Sequence, residues 1–192
     1  MLKSIYLDEH DLKDFGFKSL GKNIRISSDA RIYGAENISI GNNVRIDDFV
    51  ILSSGDGYIT IGNYVFIARS SHLSGTLGIQ MNDFSSMAAN TVIYSASDDY
   101  MGNYMTAQAI SQKYTTKIGG PVSIEKHVII GSSTVIIGPC VLAEGCSFGS
   151  LSLINKSTEP WGIYVGIPAK RKAERNKNLL QLEEKMMKEI DF

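Results

Sequence analysis

Six apolar residues near the end of the chain stand at a strict spacing of six: Ile124, Ile130, Ile136, Leu142, Phe148 and Ile154. Two positions ahead of the last five run Val128, Thr134, Cys140, Cys146 and Ser152, all small or β-branched. A helix repeats its apolar face about every 3.6 residues and a half-buried strand every second residue, so neither produces this period. Short strands joined by tight corners do, and the pattern predicts a β-helix with three hexads to a coil. Upstream, Ile26, Ile32 and Ile38 share one frame and Ile40, Ile46 and Leu52 the next. Ile61, Ile67, Leu73 and Ile79 follow, then Met81, Met87 and Ile93. The frame slips at Ile38/Ile40, near Gly55-Asp56-Gly57, and at Ile79/Met81. The repeats suffice for about five or six coils, stacked about 4.8 Å apart. One coil cannot bury its apolar face, but a stack can.

The breaks in the pattern set the organisation. Residues 1–20 read as an N-terminal cap, with a short helix from Asp8 to Phe15 that Gly16 ends. Residues 21–168 are the β-helix, interrupted at 94–122 by a long loop without repeats. Such loops inside a compact domain are usually functional. Residues 169–192 read as a C-terminal helix, with Leu179, Leu182, Met186 and Ile190 on one face. The fold class is therefore all-β, a parallel β-helix with a short cap and a C-terminal α-helix.

Composition narrows the function. The chain has 192 residues, is 43% hydrophobic and carries a net charge of -1, which argues for one soluble domain and against nucleic acid as a global partner. No apolar run approaches the length of a membrane span, and residues 1–8 carry no cleavage signature. A cytoplasmic location is expected. Cys140 and Cys146 fall in the small-residue column and read as buried packing thiols rather than a disulfide. The three histidines, His10, His72 and His127, are too dispersed to hold a metal, so none is expected.

The hexads, the segment Ile124-Glu125-Lys126-His127-Val128-Ile129-Ile130-Gly131-Ser132 and the exit Gly166-Ile167-Pro168-Ala169-Lys170 together resemble the hexapeptide-repeat acyltransferases, over roughly residues 20–175. The resemblance is closest to the galactoside-type and O-antigen sugar acyltransferases. It implies a left-handed β-helix, a homotrimer, and an acyl-coenzyme A bound between adjacent subunits as co-substrate. It also implies transfer of the acyl group to a sugar of surface polysaccharide or lipopolysaccharide biosynthesis. Cofactor-binding positions carry over to Ser132, Ser150, Asn155 and Lys156, helped by Lys170 and Arg171.

The chain departs from the resemblance at one place. Galactoside-type relatives open the long loop with Gly-His-Pro, whose histidine is the catalytic base; the matching residues here are Ser97-Asp98-Asp99. A carboxylate of pKa about 4 is a weak base for a hydroxyl, whereas histidine suits that task near neutral pH. An amine is less demanding, because α-amino groups titrate near pH ~8 and a useful fraction is already neutral. A carboxylate can orient the amine and take up its proton. Asp98, Asp99 and Glu125, which replaces a corner glycine of relatives, are therefore the candidate catalytic residues, and the expected acceptor is the amine of a nucleotide-linked amino sugar. Asp98-Asp99 also has the composition of a simple Asx turn.

Ser86, His72 and His127 are the candidate substrate-binding residues. Ser86 faces outward where Ser85 faces the core. His72 faces outward on its strand, and His127 lies in a repeat corner. O-acetylation of a sugar hydroxyl, with His72 or His127 as base, is the alternative. A non-catalytic β-helix scaffold is the alternative from another class.

Overall fold

The computed structural model describes residues 5–107 and 109–190; the first four residues of the expected cap, Gln108 and the last two residues of the expected C-terminal helix lie outside the described residues. The hexads wind a three-sided parallel β-solenoid. The first face stacks Ser19–Leu20, Ile38–Ile40, Ile59–Ile61, Ile79–Met81, Val122–Ile124 and Cys140–Leu142. The second face stacks Arg25–Ile26, Arg45–Ile46, Phe66–Ile67, Ser86–Met87, Ile129–Ile130, Ser147–Phe148 and Gly162–Val165. The third stacks Arg31–Tyr33, Ile51–Ser53, His72–Ser74, Val92–Tyr94, Val135–Ile137 and Leu153–Ile154. The chain thus makes six complete coils and one second-face strand of a seventh, slightly more than the spacing leads one to expect.

The frame slips have a structural cause. Strands of the first face are three residues long from the second coil onward, and their first and third residues both point inward: Ile38 and Ile40, Ile59 and Ile61, Ile79 and Met81 are all buried. Each crossing of this face therefore contributes two core residues two positions apart. The core is one apolar column running the length of the solenoid, and each fully buried aliphatic side chain contributes about 1.5–3 kcal/mol.

The corners explain where non-glycine residues adopt left-handed backbone. Between the first and second faces these are Asn23, Asn43, Tyr64, Phe84, His127 and Trp161; between the second and third they are Phe49, Ser70, Asn90, Ser133 and Leu151. This conformation costs about 1–2 kcal/mol for an L-residue. It turns the amide along the solenoid axis, toward the preceding coil. Tyr64 N–H donates to Asn42 O at 2.9 Å, Phe84 N–H to Asn63 O at 2.9 Å and His127 N–H to Asp83 O at 3.2 Å. The side chains then stack in step: Tyr64 on Phe84 with ring centres 4.8 Å apart, and Phe84 on His127 at 5.3 Å. At Gly145 a Cβ would collide with the Trp161 ring, so glycine lets Trp161 lie over that corner.

Inward hydroxyls of the corners are mostly satisfied. Thr91 Oγ1 donates to Ala88 O at 2.8 Å, and Ser152 Oγ to Gly149 O at 2.7 Å. Ser85 is the exception. It interrupts a buried column of Val44, Val65 and Val128, and its hydroxyl has no hydrogen-bond partner among the described residues. An unsatisfied buried hydroxyl costs about 1–3 kcal/mol. Ser85→Val, which continues the column, is expected to raise the unfolding free energy by about that amount. Denaturant titration checks it, and a loss of stability would show that the site cannot take the valine.

Both ends of the second face meet reversed backbone, an isolated bridge at one end and a strand at the other. At the N-terminal end Tyr6 bridges Ser27 in antiparallel sense, ahead of a helix, α1 (Glu9–Asp14), whose N-cap Asp8 forms a capping box with Asp11. At the other end Lys170–Glu174 folds back antiparallel on Gly162–Val165. This corrects the expected helix at 169–192: the helix, α2, spans only Leu179–Ile190. The basic run lacks helical periodicity, and the open edge of the last strand offers its backbone a hydrogen-bonding partner. Leu182 is 60% exposed. The docked side of α2 carries Leu179, Met186 and Glu183 instead; Glu183 accepts from Lys126 Nζ at 2.6 Å and meets His127 Nε2 at 2.7 Å.

Candidate active site

The long loop leaves the third face after Tyr94 and returns to the first face at Val122. It projects as an arm standing on a two-residue antiparallel ladder, Ala96–Ser97 against Ile118–Gly119. The adjacent aspartates at its root have separate surroundings. Asp99 is 3% exposed and its carboxylate accepts the N–H groups of Met101 at 2.8 Å, Asn103 at 2.6 Å and Tyr104 at 2.9 Å. These bonds, Met101's foremost, hold its pKa below the ordinary carboxylate value. Asp99 thus builds an Asx turn that shapes the arm. Asp98 is half-buried, and no described residue hydrogen-bonds its carboxylate. It lines a pocket of about 580 Å3 with Ser74, Tyr94, Ser97, Tyr100, Lys117, Val135 and Ile137.

His72 belongs to the same face. It points outward two residues before Ser74, and its ring meets the Tyr94 ring edge-on with centres 5.9 Å apart. Burial lowers its pKa, which favours the neutral imidazole. Lys117, on the returning leg of the arm, lies 3.4 Å from Asp56. Sequence reasoning did not find Ser74, Tyr100 or Lys117: Ser74 is an outward position on a hexad strand like any other, and the path of a loop without repeats, which sets Tyr100 and Lys117, has no signal in the chain.

Glu125 does not join Asp98 within the chain. Both arm ends stand at the corner between the third and first faces, and the chain crosses the whole first face before reaching Glu125 at the next corner. There Glu125 accepts from Ser123 Oγ at 2.6 Å and Asn82 Nδ2 at 2.9 Å. His127 is at that same corner, buried, stacked on Phe84 and held by Glu183 of α2. Its side chain serves the docking of the C-terminal helix and does not line the Asp98 pocket.

The second face carries a groove of about 470 Å3, lined mainly by Phe66, Ile129, Phe148, Ile163 and Val165, with Ser86 and Ser150 among the polar positions. Its floor is kept low by Ala88, Gly131 and Gly149. Ser132 follows Gly131 at its margin. Beyond the last lining strand, the reversed strand carries Lys170, paired with the lining residue Val165, and Arg171, paired with the buried Tyr164; Arg171 also contacts Glu174 at 2.6 Å. Asn155 and Lys156 lie elsewhere, exposed beyond the last strand of the third face. Cys140 and Cys146 are both buried free thiols. Burial pushes the Cys140 pKa up to about 11, and Cys146 Sγ donates to Glu159 O at 3.1 Å. Neither is poised as a nucleophile. Among the described residues no helix is long and apolar enough to cross a membrane.

No protein-family model matches the chain. A dTDP-4-amino-4,6-dideoxy-D-glucose acyltransferase from Escherichia coli is 45% identical over 178 residues, 93% of each chain. Among solved structures, the N-acyltransferase AntD from Bacillus cereus, in complex with dTDP and 3-hydroxybutyryl-CoA, superposes with a TM-score of 0.93 at 40% identity, covering 99% of this chain and 100% of that one. A serine variant of AntD holding dTDP-4-amino-4,6-dideoxyglucose and coenzyme A gives a TM-score of 0.92 at 41% identity, covering 97% and 100%. With a solenoid of hexads, an arm at its fourth coil and similarity over nearly the whole chain, this protein belongs to the hexapeptide-repeat sugar acyltransferases, the family of the dTDP-4-amino-4,6-dideoxyglucose acyltransferase.

Proposed function

We propose that this chain transfers an acetyl or short hydroxyacyl group from coenzyme A to the amine of a nucleotide-linked amino sugar, working as a cytoplasmic homotrimer in surface-polysaccharide or lipopolysaccharide biosynthesis. The observation that carries this reading is the second-face groove, apolar along its length, with Lys170 of the reversed strand paired with Val165 at its last lining strand. It fits a cofactor with a flexible thioester arm and a phosphate-bearing nucleotide. Ser132 and Ser150 border the arm, and Lys170 and Arg171 meet the phosphates. The named substrate of the Escherichia coli relative and the contents of the AntD complexes fit the same chemistry.

The trimer brings the second face of one protomer against the third face of the next. Exposed Ile129, Ile137, Tyr94 and Leu151 on these faces and the corner between them supply apolar contact. Ser86 and Tyr94 belong to the same coil, so Asp98 of the neighbour meets the groove level with Ser86. Asn155 and Lys156 then reach the cofactor from the neighbour's third face. Asp98 orients the amine, and nitrogen attacks the thioester carbonyl. The C–N bond forms, the C–S bond breaks, and a nitrogen proton passes through the carboxylate to the departing thiolate.

A second reading rests on His72. A neutral imidazole beside Tyr94 could deprotonate a sugar hydroxyl, giving O-acylation. A free-thiol assay with acetyl-coenzyme A separates the two. Thiol release is expected with a dTDP-linked 4-amino sugar and not with its 4-hydroxy analogue. Release with the hydroxyl sugar would favour His72; silence with both, together with no coenzyme A binding in calorimetry, would leave a scaffold.

A further inference from the structure

The outward residues of the second face form one column in register from coil to coil: Arg25, Arg45, Phe66, Ser86, Ile129 and Ser147. The acyl-donor groove uses the column from Phe66 onward. The two coils before it present arginines as direct register partners. Like charges facing each other across a strand pair oppose the pairing, and the compensation here is partial. Arg25 makes no ion pair among the described residues. Arg45 donates through Nε to Asp47 at 2.7 Å. Its guanidinium also lies over the Phe66 ring, 5.3 Å from the centroid, and so is drawn along the sheet toward Ser86. About half of the Arg45 side chain (52%) remains exposed.

Resting on the N-acylation reading above, we infer that Arg25 and Arg45 hold the diphosphate of the acceptor nucleotide, which places the sugar over Phe66 and its amine at Ser86. Two strand spacings, about 10 Å, separate the Arg45 and Ser86 rungs, a span that a hexose and its proximal phosphate fill. Guanidinium forks match phosphate oxygens in pairs. The aromatic face of Phe66 suits the apolar side of a deoxyhexose ring. Donor and acceptor then share one surface and meet end to end at the fourth coil. Asp47, beside the diphosphate, is already neutralised by Arg45 and keeps that guanidinium oriented.

Calorimetric titration of the intact protein with dTDP, and separately with coenzyme A, tests the assignment, because both ligands carry a diphosphate. Arg25→Gln and Arg45→Gln are each expected to weaken dTDP about tenfold, and the double variant more, with coenzyme A affinity unchanged. Arg45→Lys, which keeps the charge and loses the fork, falls between. In turnover the same variants raise KM for the nucleotide sugar and leave kcat nearly constant, as loss of uniform binding requires. If dTDP binds all variants as well as the wild type, the inference is wrong and the acylation reading stands. If the variants lose coenzyme A and not dTDP, the arginines belong to the cofactor and the inference is again overturned. A wild-type protein that binds coenzyme A but not dTDP overturns the inference together with the nucleotide-sugar reading.

Discussion

Asp98→Asn is expected to lower kcat/KM for the amino sugar about 10- to 100-fold while leaving coenzyme A affinity and thermal stability unchanged. The variant keeps the shape of the side chain and removes its charge. A hydrogen bond to a charged partner is worth about 1.5–3 kcal/mol, and each 1.4 kcal/mol or so is tenfold in rate. The structure says why the effect should be confined to turnover. No described residue hydrogen-bonds the Asp98 carboxylate, so nothing in the fold depends on it, whereas its neighbour Asp99 is committed to three backbone amides. Asp99→Ala should therefore behave differently, exposing the arm to limited proteolysis and weakening the acceptor site through misplacement of Asp98. Steady-state kinetics of both variants with proteolysis of each resolves the roles. An Asp98→Asn enzyme within twofold of wild type would remove this carboxylate from the mechanism.

The largest loss of stability is expected at the centre of the core column. Ile67 is fully buried, and register places it between Ile46 of the coil before and Met87 of the coil after. Ile67→Ala removes contacts to both neighbours and leaves a cavity that rigid, hydrogen-bonded coils cannot collapse around. The cost is about 2–5 kcal/mol, a fall in Tm on the order of 10 °C for a chain of this size. Because each coil contacts only its neighbours, the damage also separates the two N-terminal coils from the rest. Thermal unfolding followed by circular dichroism measures it. A loss under about 1 kcal/mol would mean that the column repacks more freely than its strand pairing implies.

What could be read from the chain, and what could not, follows from how local each signal is. Ile124 to Ile154 announces the solenoid because each hexad is one strand and one corner, so period and architecture are the same information. The slip of frame at Ile38/Ile40 is a first-face strand with two inward residues. The separation of Asp98 from Glu125 was not legible: few residues lie between the arm's end and Glu125, but a three-sided coil turns a short chain distance into a different corner. His127 stood as a candidate substrate-binding residue, and its αL corner and its contact with Glu183, 56 residues downstream, had no signal in the local sequence. Lys170 to Glu174 carries charge without period, so only the open edge of Gly162–Val165 decides that it is a strand. Asp98 itself was marked by its departure from the histidine of relatives, a signal that composition and spacing alone do not carry.

The reversed backbone at the two ends of the second face bears on how copies of this molecule can meet. A parallel solenoid left open would offer each end as a template for the next molecule, and growth of that kind has no natural stop. On the second face the terminal edges run against the direction of the stack, one at the Tyr6–Ser27 bridge, the other at Lys170–Glu174. On that face, axial pairing with another molecule meets backbone of the wrong direction, and the charged side chains of Lys170–Glu174 oppose it further.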